Sequence, residues 1–324
     1  MKKITVLTRE VSIQAFVVKN IRNLLRFLKY ALNGFVDTDI LFFSGHAAVT
    51  KSLIQGLGEM KADFVYNPIL EKDISDMVVV ISDMKALNQA IQWKKEGKIK
   101  KLLAGPSLLD LPTKYNHALS AKEIDTVLVT SEWVKQVYEK LNPGLTGKIA
   151  IWYSGIDEKY WLPAETVKQK EILVYWKNTT PKSFCLEVES MIKKHGYIVH
   201  RIRYGYYTKA HYKKILDQSM YAVFLSMTES QGLALAEAWA MNVPTLVWDP
   251  EMGHPYVHNI TVTSAPYLSE QTGMKWKELD EFESLLNGGE LAKKTFSPRE
   301  WVLKHMTDKI SAQMLVDIAN TLYK

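Results

Sequence analysis

Residues 226–244 read Ser226-Met227-Thr228-Glu229-Ser230-Gln231-Gly232-Leu233-Ala234-Leu235-Ala236-Glu237-Ala238-Trp239-Ala240-Met241-Asn242-Val243-Pro244. The apolar run that leads into it, Tyr221-Ala222-Val223-Phe224-Leu225-Ser226, predicts a buried parallel strand. Residues 228–232 then predict a polar loop and Leu233 onward a helix, with Pro244-Thr245-Leu246-Val247-Trp248 opening the next strand. Glu229 and Glu237 have seven residues between them, and Glu237 stands alone in an otherwise apolar helical run. A carboxylate in that position is costly to bury unless a polar group meets it. Ligands of open α/β sheets settle at the carboxyl ends of the strands, and helix N-termini attract phosphate. The pattern therefore predicts Glu229 in such a crevice and Glu237 on the first turns of the helix behind it.

Spacing alone does not decide this, because two glutamates fall eight apart in many chains. Glu229 also reads as an ordinary loop carboxylate, and Glu237 as a helix residue paired with a nearby Lys or Arg. The context is what favours a binding site: strand, Ser-x-x-Glu, a glycine three residues after the first glutamate, a small-residue helix, and a second strand.

The same alternation extends in both directions. Strands are predicted over 3–8, 39–44, 62–66, 76–82, 101–104, 125–130 and 148–152, with helices over 17–32, 47–57, 85–97 and 132–141. Ser131 is the expected N-cap of the last of these helices. Tyr153-Ser154-Gly155-Ile156-Asp157-Glu158-Lys159-Tyr160-Trp161-Leu162-Pro163 breaks the rhythm with Gly and Pro. A second alternation follows, with strands over 172–176, 198–203, 221–226 and 245–248 and helices over 183–195, 209–218 and 233–241. Ser297-Pro298 opens a helix with Pro at its first position, and an amphipathic run from Trp301 to Leu322 ends the sequence. Repeated βα units imply parallel sheets with helices on both faces, here in two Rossmann-like, doubly wound α/β domains. The expected division is 1–153, 154–300 and a final helix over 301–324.

With 324 residues the chain has the length for two domains, and 47% apolar with 23% charged residues is the composition of a soluble globular protein. The lone Cys185 excludes an intrachain disulfide and fits a reducing cytosol; it reads as a packed helix residue. No signal-peptide pattern follows Met1-Lys2-Lys3, and no apolar run reaches the length of a membrane span. The net charge of +6 lies wholly in residues 1–150, which carry 21 Lys and Arg against 15 Asp and Glu. Seven cations against one anion, Glu10, fall in the first thirty residues. Lys19, Arg22, Arg26 and Lys29 share one side of the predicted helix, and Ile21, Leu24, Leu25 and Leu28 the other. Such a helix reads either as a membrane-surface element or as the solvated outer face of a Rossmann-like helix.

The segment from Glu229 to Glu237 resembles the E-x7-E signature of retaining glycosyltransferases of the GT-B architecture, family 4 above all. The connector at Gly155-Ile156-Asp157, followed by aromatics and Pro163, is similar to the interdomain connector of those enzymes. The resemblance covers essentially the whole chain and implies that the last helix crosses back onto the first domain. It also implies an N-terminal acceptor-binding domain and a C-terminal domain for a nucleotide-sugar. Family 4 enzymes carry an Arg and, five residues later, a Lys after the first strand of the second domain. Lys177 and Lys182 hold that spacing in Trp176-Lys177-Asn178-Thr179-Thr180-Pro181-Lys182. Lys177 replaces the Arg, and Trp176 stands where a Gly is usual. Lysine still binds phosphate, as a point charge without the bidentate fork; two surface lysines at a turn are the plain alternative.

By the same resemblance, Glu229 meets hydroxyls of the transferred sugar and Glu237 the ribose diol, which a carboxylate suits by accepting two hydroxyl bonds. Gln231 is expected to reach the sugar, and the amides of Gly232 and Leu233 to complete the phosphate site at a helix N-terminus. Gly205-Tyr206 lies where related enzymes bind the base. The implied reaction is retaining transfer to a glycan or lipid-linked saccharide, by front-face attack and without a metal or other cofactor. The implied place is the cytoplasm, at the inner membrane face if the basic domain docks there.

The first domain departs from the pattern. Family members often carry glycines in the loop after the first strand, where Thr8-Arg9-Glu10-Val11-Ser12 has none. That contact then moves to Ser44-Gly45-His46 or Gly105-Pro106-Ser107, or the chain is a non-catalytic GT-B subunit that binds a nucleotide-sugar or a partner glycosyltransferase. A nucleotide-sugar epimerase shares the fold as a third reading. His46 and His117 are candidates for the acceptor site, or structural residues.

Three other patterns point elsewhere and are set aside. Asp37-Thr38-Asp39 matches a metal-binding Asp-x-Asp but precedes its strand, so it reads as a turn. His195 and His200 lie five apart but on different elements, without zinc spacing. The mixed bases and aromatics from Arg201 to Lys214 lack any nucleic-acid-binding motif, and the second half of the chain is neutral.

Overall fold

The computed structural model describes residues 2–32, 45–165, 168–287 and 291–323; side chains at 23, 26–32 and 292 lie outside that description. The strand expected over 39–44 and the Asp37-Thr38-Asp39 turn lie outside the described residues, as does Ser44. By internal contacts the chain forms two units, Met1–Gly155 with Asp308–Lys324, and Ile156–Thr307.

The first unit runs β1 (Ile4–Leu7), α1 (Ile13–Leu32), α2 (Gly45–Glu59), β2 (Phe64–Tyr66), β3 (Met77–Val80), α3 (Met84–Lys95), β4 (Lys101–Ala104), the short turn α4 (Lys114–His117), β5 (Thr126–Val129), α5 (Glu132–Leu141) and β6 (Ile149–Ile151). Its described strands form a parallel sheet in the order β2-β1-β3-β4-β5-β6. β1, β3 and β5 are buried at every position, as strands covered on both faces must be, and this is why they read as nearly continuous apolar runs. Val78, Val80, Leu102 and Ala104 pack with Leu87, Ala90 and Trp93 of α3 in one core. Asp83 caps α3 by accepting the amides of Lys85 and Ala86. Ser131 is the N-cap of α5 by position, but its buried hydroxyl makes no capping bond, contrary to the sequence expectation.

The second unit runs β7 (Gln169–Trp176), α6 (Lys182–Lys194), β8 (Ile198–Arg203), α7 (Lys209–Gln218), β9 (Ser219–Leu225), α8 (Leu233–Ala240), β10 (Thr245–Trp248), β11 (Gly273–Trp276), α9 (Leu279–Leu286) and α10 (Pro298–His305). Its parallel sheet has the order β11-β10-β9-β7-β8. Strand β11 and helix α9 escape the sequence reading because Gly273-Met274-Lys275-Trp276 is short and shows no period. Gly273 is required there: a Cβ would collide with the Thr245 carbonyl of β10. Cys185 is buried in α6, and burial pushes its thiol up to about 11.

The connector after Gly155 is fastened within the second unit by Arg299 of α10. Its guanidinium donates to the carbonyls of Trp161 (2.8 Å), Ala240 (2.6 Å) and Glu158 (3.2 Å). The terminal run expected over Trp301–Leu322 is instead two helices, α10 and α11 (Asp308–Thr321). The break falls where the Met306 carbonyl accepts the Ile156 amide (2.8 Å) and Thr307 bridges to Ile156. Helix α11 belongs to the first unit. Ser311 receives the Trp152 indole on its carbonyl (2.9 Å) and donates its hydroxyl to the Tyr153 carbonyl (2.5 Å). Gly56 of α2 admits the backbone of Asp308, where any Cβ would clash with the Asp308 carbonyl.

Helix α1 departs from a packed Rossmann-like helix. Seated on the sheet by its apolar side, it would bury Ile21, Leu24 and Leu25, yet these are 52%, 58% and 60% exposed. Ile13, Phe16, Val17 and Val18 are exposed as well. Lys19 lies along Tyr66 and donates to the Thr8 hydroxyl (3.1 Å). Arg22 is exposed; the side chains of Arg26, Leu28 and Lys29 lie outside the described residues.

Candidate functional site

Strands β7 and β9 are neighbours in register, with Trp176 opposite Leu225, so the residues that follow each strand emerge side by side. The turn after β7 is pinned to the end of β9: the Lys177 amide and the Thr180 hydroxyl both donate to the Leu225 carbonyl, at 3.1 and 3.0 Å. Lys177 is thereby held beside the loop that follows β9, and its Nζ stands 2.6 Å from Glu229 Oε1. Both side chains are largely but not fully buried, so the pair is shielded more than a surface ion pair. Glu229 is therefore not an unengaged loop carboxylate.

Glu237 lies on the second turn of α8 and is 9% exposed. Among the described residues its carboxylate has neither a hydrogen-bond nor an ion-pair partner, and the salt bridge allowed for it by the sequence is not formed. Burial raises its carboxyl to about 7, against a smaller opposing pull from Lys209 at the start of α7. The Tyr212 hydroxyl, donated to the Ala234 carbonyl (2.7 Å), holds α7 against α8. Burial also raises the Tyr207 and Tyr212 hydroxyls, with the Glu237 charge adding to the shift. A largely buried carboxylate without a protein partner is unfavourable, and it marks where a group bearing hydroxyls would be welcome.

Gly232 is the N-cap of α8 at φ +83°, a left-handed conformation that suits glycine. With no side chain to cap the helix, the first amides of α8, from Leu233 on, are left without a side-chain cap. Gln231 beside it is buried. Lys182, first residue of α6, is exposed and makes no ion pair among the described residues. Gly205 turns the chain after β8 at φ +82°, leaving Tyr206 71% exposed with the Arg203 guanidinium 4.6 Å from its ring centroid. The structure thus joins Lys177 to Glu229 directly, puts both Glu229 and Glu237 within electrostatic reach of the Tyr207 hydroxyl, and leaves Lys182 and Tyr206 on the surface.

Sequence reasoning missed Tyr204, whose ring centroid lies 4.9 Å from Lys177 Nζ, a cation–π contact that links the loop after β8 to the loop after β7. It also missed Asn178, which accepts from Arg203 Nε at 2.7 Å. Neither carries a motif; only the β7–β8 pairing brings them together.

In the first unit, the glycine-free loop after β1 is filled by Arg9. Its buried guanidinium donates to the carbonyls of Asn67 and Glu10, each at 2.8 Å. His46 lies in the first turn of α2 and His117 sits at φ +57°, both exposed and with no arrangement that distinguishes them. Ser107 donates its amide to the Ile81 carbonyl (3.0 Å), and Gly105 packs on the Leu128 carbonyl. In the second unit His195 is engaged by Met191 and Asn287, and His200 by Glu171, so neither is a spare ligand. Arg201 is bound bidentately by Glu189. Among the described residues no group of three His, Cys, Asp or Glu side chains is placed to share a metal ion. No described helix is long and apolar enough to cross a membrane.

No protein-family model matches the chain, and no curated protein matches its sequence. Its fold, in contrast, matches solved glycosyltransferases over nearly full length. It is similar to the lipopolysaccharide outer core galactosyltransferase WaaB (TM-score 0.57, 12% identity, 99% of this chain and 100% of that one). It is also similar to a glycosyltransferase from Rickettsia africae (TM-score 0.55, 12% identity, 99% and 98%). A third is Anabaena Alr3699/HepE, solved in complex with UDP and glucose (TM-score 0.54, 10% identity, 99% and 100%). The two parallel sheets with their helices are the α/β fold of the GT-B glycosyltransferases. At these identities the likeness concerns the fold, and function has to be argued from the site.

Proposed function

We propose that the chain is a retaining, family 4-like glycosyltransferase that moves a sugar from a nucleotide-sugar to a glycan or lipid-linked saccharide. The observation that carries this reading is the ion pair of Lys177 with Glu229 beside the buried, unpartnered Glu237, at the carboxyl end of the second sheet. Lys177 and Lys182 meet the diphosphate, and the amides at the start of α8 add donors aimed at anionic oxygen. Glu237 accepts from the ribose diol, and its burial makes that partnership more favourable than exposure to water would. Glu229 and Gln231 meet hydroxyls of the transferred sugar, while Gly205 and Tyr206 flank the base. Solved Alr3699/HepE with UDP and glucose lends the donor class support.

In the proposed reaction the acceptor hydroxyl attacks the anomeric carbon from the face the diphosphate leaves. The bond from that carbon to the phosphate oxygen breaks with its electron pair going to the phosphate. The acceptor proton passes to the departing phosphate, whose charge Lys177 and Lys182 stabilise. No metal is needed for this charge balance, and Glu229 serves as a sugar contact rather than as a nucleophile.

The first unit takes the acceptor, in the cytoplasm at the inner face of the membrane. Helix α1 supports docking on an anionic bilayer: its described apolar side chains are exposed, in a segment with seven cations and one anion in thirty residues. A second reading, a non-catalytic subunit that binds a nucleotide-sugar or a partner glycosyltransferase, is favoured by Arg9 filling the loop where relatives carry glycine.

Calorimetric titration with UDP, GDP, CDP, ADP and dTDP, without added metal, tests the proposal. Binding of one nucleotide, lost in Lys182→Ala and Glu237→Gln, supports it and names the base. Binding of that nucleotide without turnover of any of its sugars selects the non-catalytic subunit, and no binding by any of the five overturns the donor site.

A further inference from the structure

Asp249, one residue beyond β10, is fully buried, yet it lies in no segment that touches the proposed donor. Burial alone would raise its carboxyl. Hydrogen bonds from Lys275 and Thr263 and from the Ser264 amide outweigh that and hold it below the ordinary carboxylate range. Its Oδ2 accepts from the Thr263 hydroxyl at 2.6 Å and lies 2.5 Å from Lys275 Nζ, and its Oδ1 accepts the Ser264 amide at 3.0 Å. Lys275 also donates to the Thr263 hydroxyl (3.1 Å), which closes the cluster.

The two residues held by Asp249 are the ones that hold the Glu229 loop. The Thr263 carbonyl accepts the Glu229 amide at 3.0 Å. The Ser264 hydroxyl donates to the Ser226 carbonyl at 2.5 Å, at the point where β9 gives way to that loop. Both the start of the loop and Glu229 itself are therefore fixed to one dipeptide. That dipeptide is in turn fixed to a buried carboxylate just past the end of the neighbouring strand.

We propose that Asp249 is a positioning residue for Glu229, acting through Thr263 and Ser264. The proposal rests on the assignment of Glu229 to the transferred sugar. Buried charge-assisted bonds of this kind are strong and directional, so they fix the Glu229 backbone before any donor arrives. Lys177 alone could not do this, because its long side chain would follow Glu229 wherever the loop moved. Lys182 on α6 and Glu237 on the second turn of α8 make no bond to Thr263 or Ser264 among the described residues.

Two measurements on Asp249→Asn and Ser264→Ala test this. The first is amide hydrogen exchange, followed in peptides over 226–232 and over β7 and α6. The second is hydrolysis of the bound nucleotide-sugar to free sugar, set beside the affinity for the free nucleoside diphosphate. Exchange over 226–232 is expected to rise at least tenfold in both variants while β7 and α6 stay at the wild-type rate. Donor hydrolysis is expected to slow about tenfold, as in Glu229→Gln, with nucleoside diphosphate affinity kept within twofold. Unchanged exchange over 226–232 in either variant overturns the proposal, and so does a rise spread evenly over the second unit. Should Asp249→Asn fail to fold, Ser264→Ala decides alone, since it removes one bond and leaves the carboxylate paired. Wild-type protein that hydrolyses no nucleotide-sugar overturns the donor reading, and the exchange result then stands apart from it.

Discussion

Lys177 Nζ lies 2.6 Å from Glu229 Oε1, so the cation proposed for the diphosphate is already taken by the carboxylate proposed for the sugar. In the proposed donor complex Lys177 exchanges one anion for another. Glu229→Gln frees the lysine, so free nucleoside diphosphate should bind more tightly to this variant than to wild type, while sugar transfer slows at least tenfold. Lys177→Ala should weaken the same nucleotide by roughly 2 kcal/mol, the scale of a charge-assisted hydrogen bond. Titration of both variants with the nucleotide identified for the wild type checks the opposite signs. Weaker binding in Glu229→Gln would contradict the exchange.

On the proposed reading, Glu237 trades stability for a binding function. Its carboxyl titrates near 7 in the folded chain against an ordinary value of 4.5, so the folded state holds the proton more tightly than the unfolded state does. The stability this confers is fully present below about pH 4.5 and is lost as pH rises through about 7. Glu237→Gln removes that loss. Its melting temperature should exceed that of wild type at pH 8, by an amount corresponding to about 3 kcal/mol at most. The advantage should shrink toward pH 4.5, and nucleotide affinity should fall by roughly 1–3 kcal/mol. Melting curves across pH 4.5–8 without nucleotide measure the first effect and calorimetry the second.

For helix α1, replacing Arg22 and Arg26 with Glu, or Leu24 and Leu25 with Ser, should abolish co-sedimentation with vesicles rich in phosphatidylserine. Neither Arg22→Glu nor the Leu24 and Leu25 pair should lower stability by more than about 0.5 kcal/mol per residue, as for surface substitutions. Wild-type binding should weaken as salt is raised, because its electrostatic part is screened. Equal sedimentation of all three proteins would remove the membrane from the proposal.

Gly56 marks a close approach between α2 and α11. Gly56→Ala puts a Cβ into the Asp308 carbonyl and against Ala312. The first unit should lose about 1–3 kcal/mol, the usual cost of overpacking. Denaturant unfolding should register that loss while nucleotide affinity, proposed to reside in the second unit, stays unchanged.

Apolar runs such as Met77–Val80 and Tyr221–Leu225, and the small-residue helix after Gly232, are local patterns. Strand, helix and the alternation between them could therefore be read from residue order alone, and with them the two-unit α/β fold. The pair of glutamates could be read too, because a carboxylate in an apolar helix is conspicuous without any coordinates. Strand order was beyond that reading. It takes the β11-β10-β9-β7-β8 sheet to set Lys177 beside Glu229, and a chain separation of fifty-two residues carries no such information. The support of Glu229 by Asp249 through Thr263 and Ser264 was likewise silent in the sequence, since short polar residues in loops hydrogen-bond in many ways. Helix α1 shows the same limit from the other side. Its amphipathic pattern is local, but whether that face is covered depends on what packs against it, and only the fold decides that Ile21, Leu24 and Leu25 stay exposed.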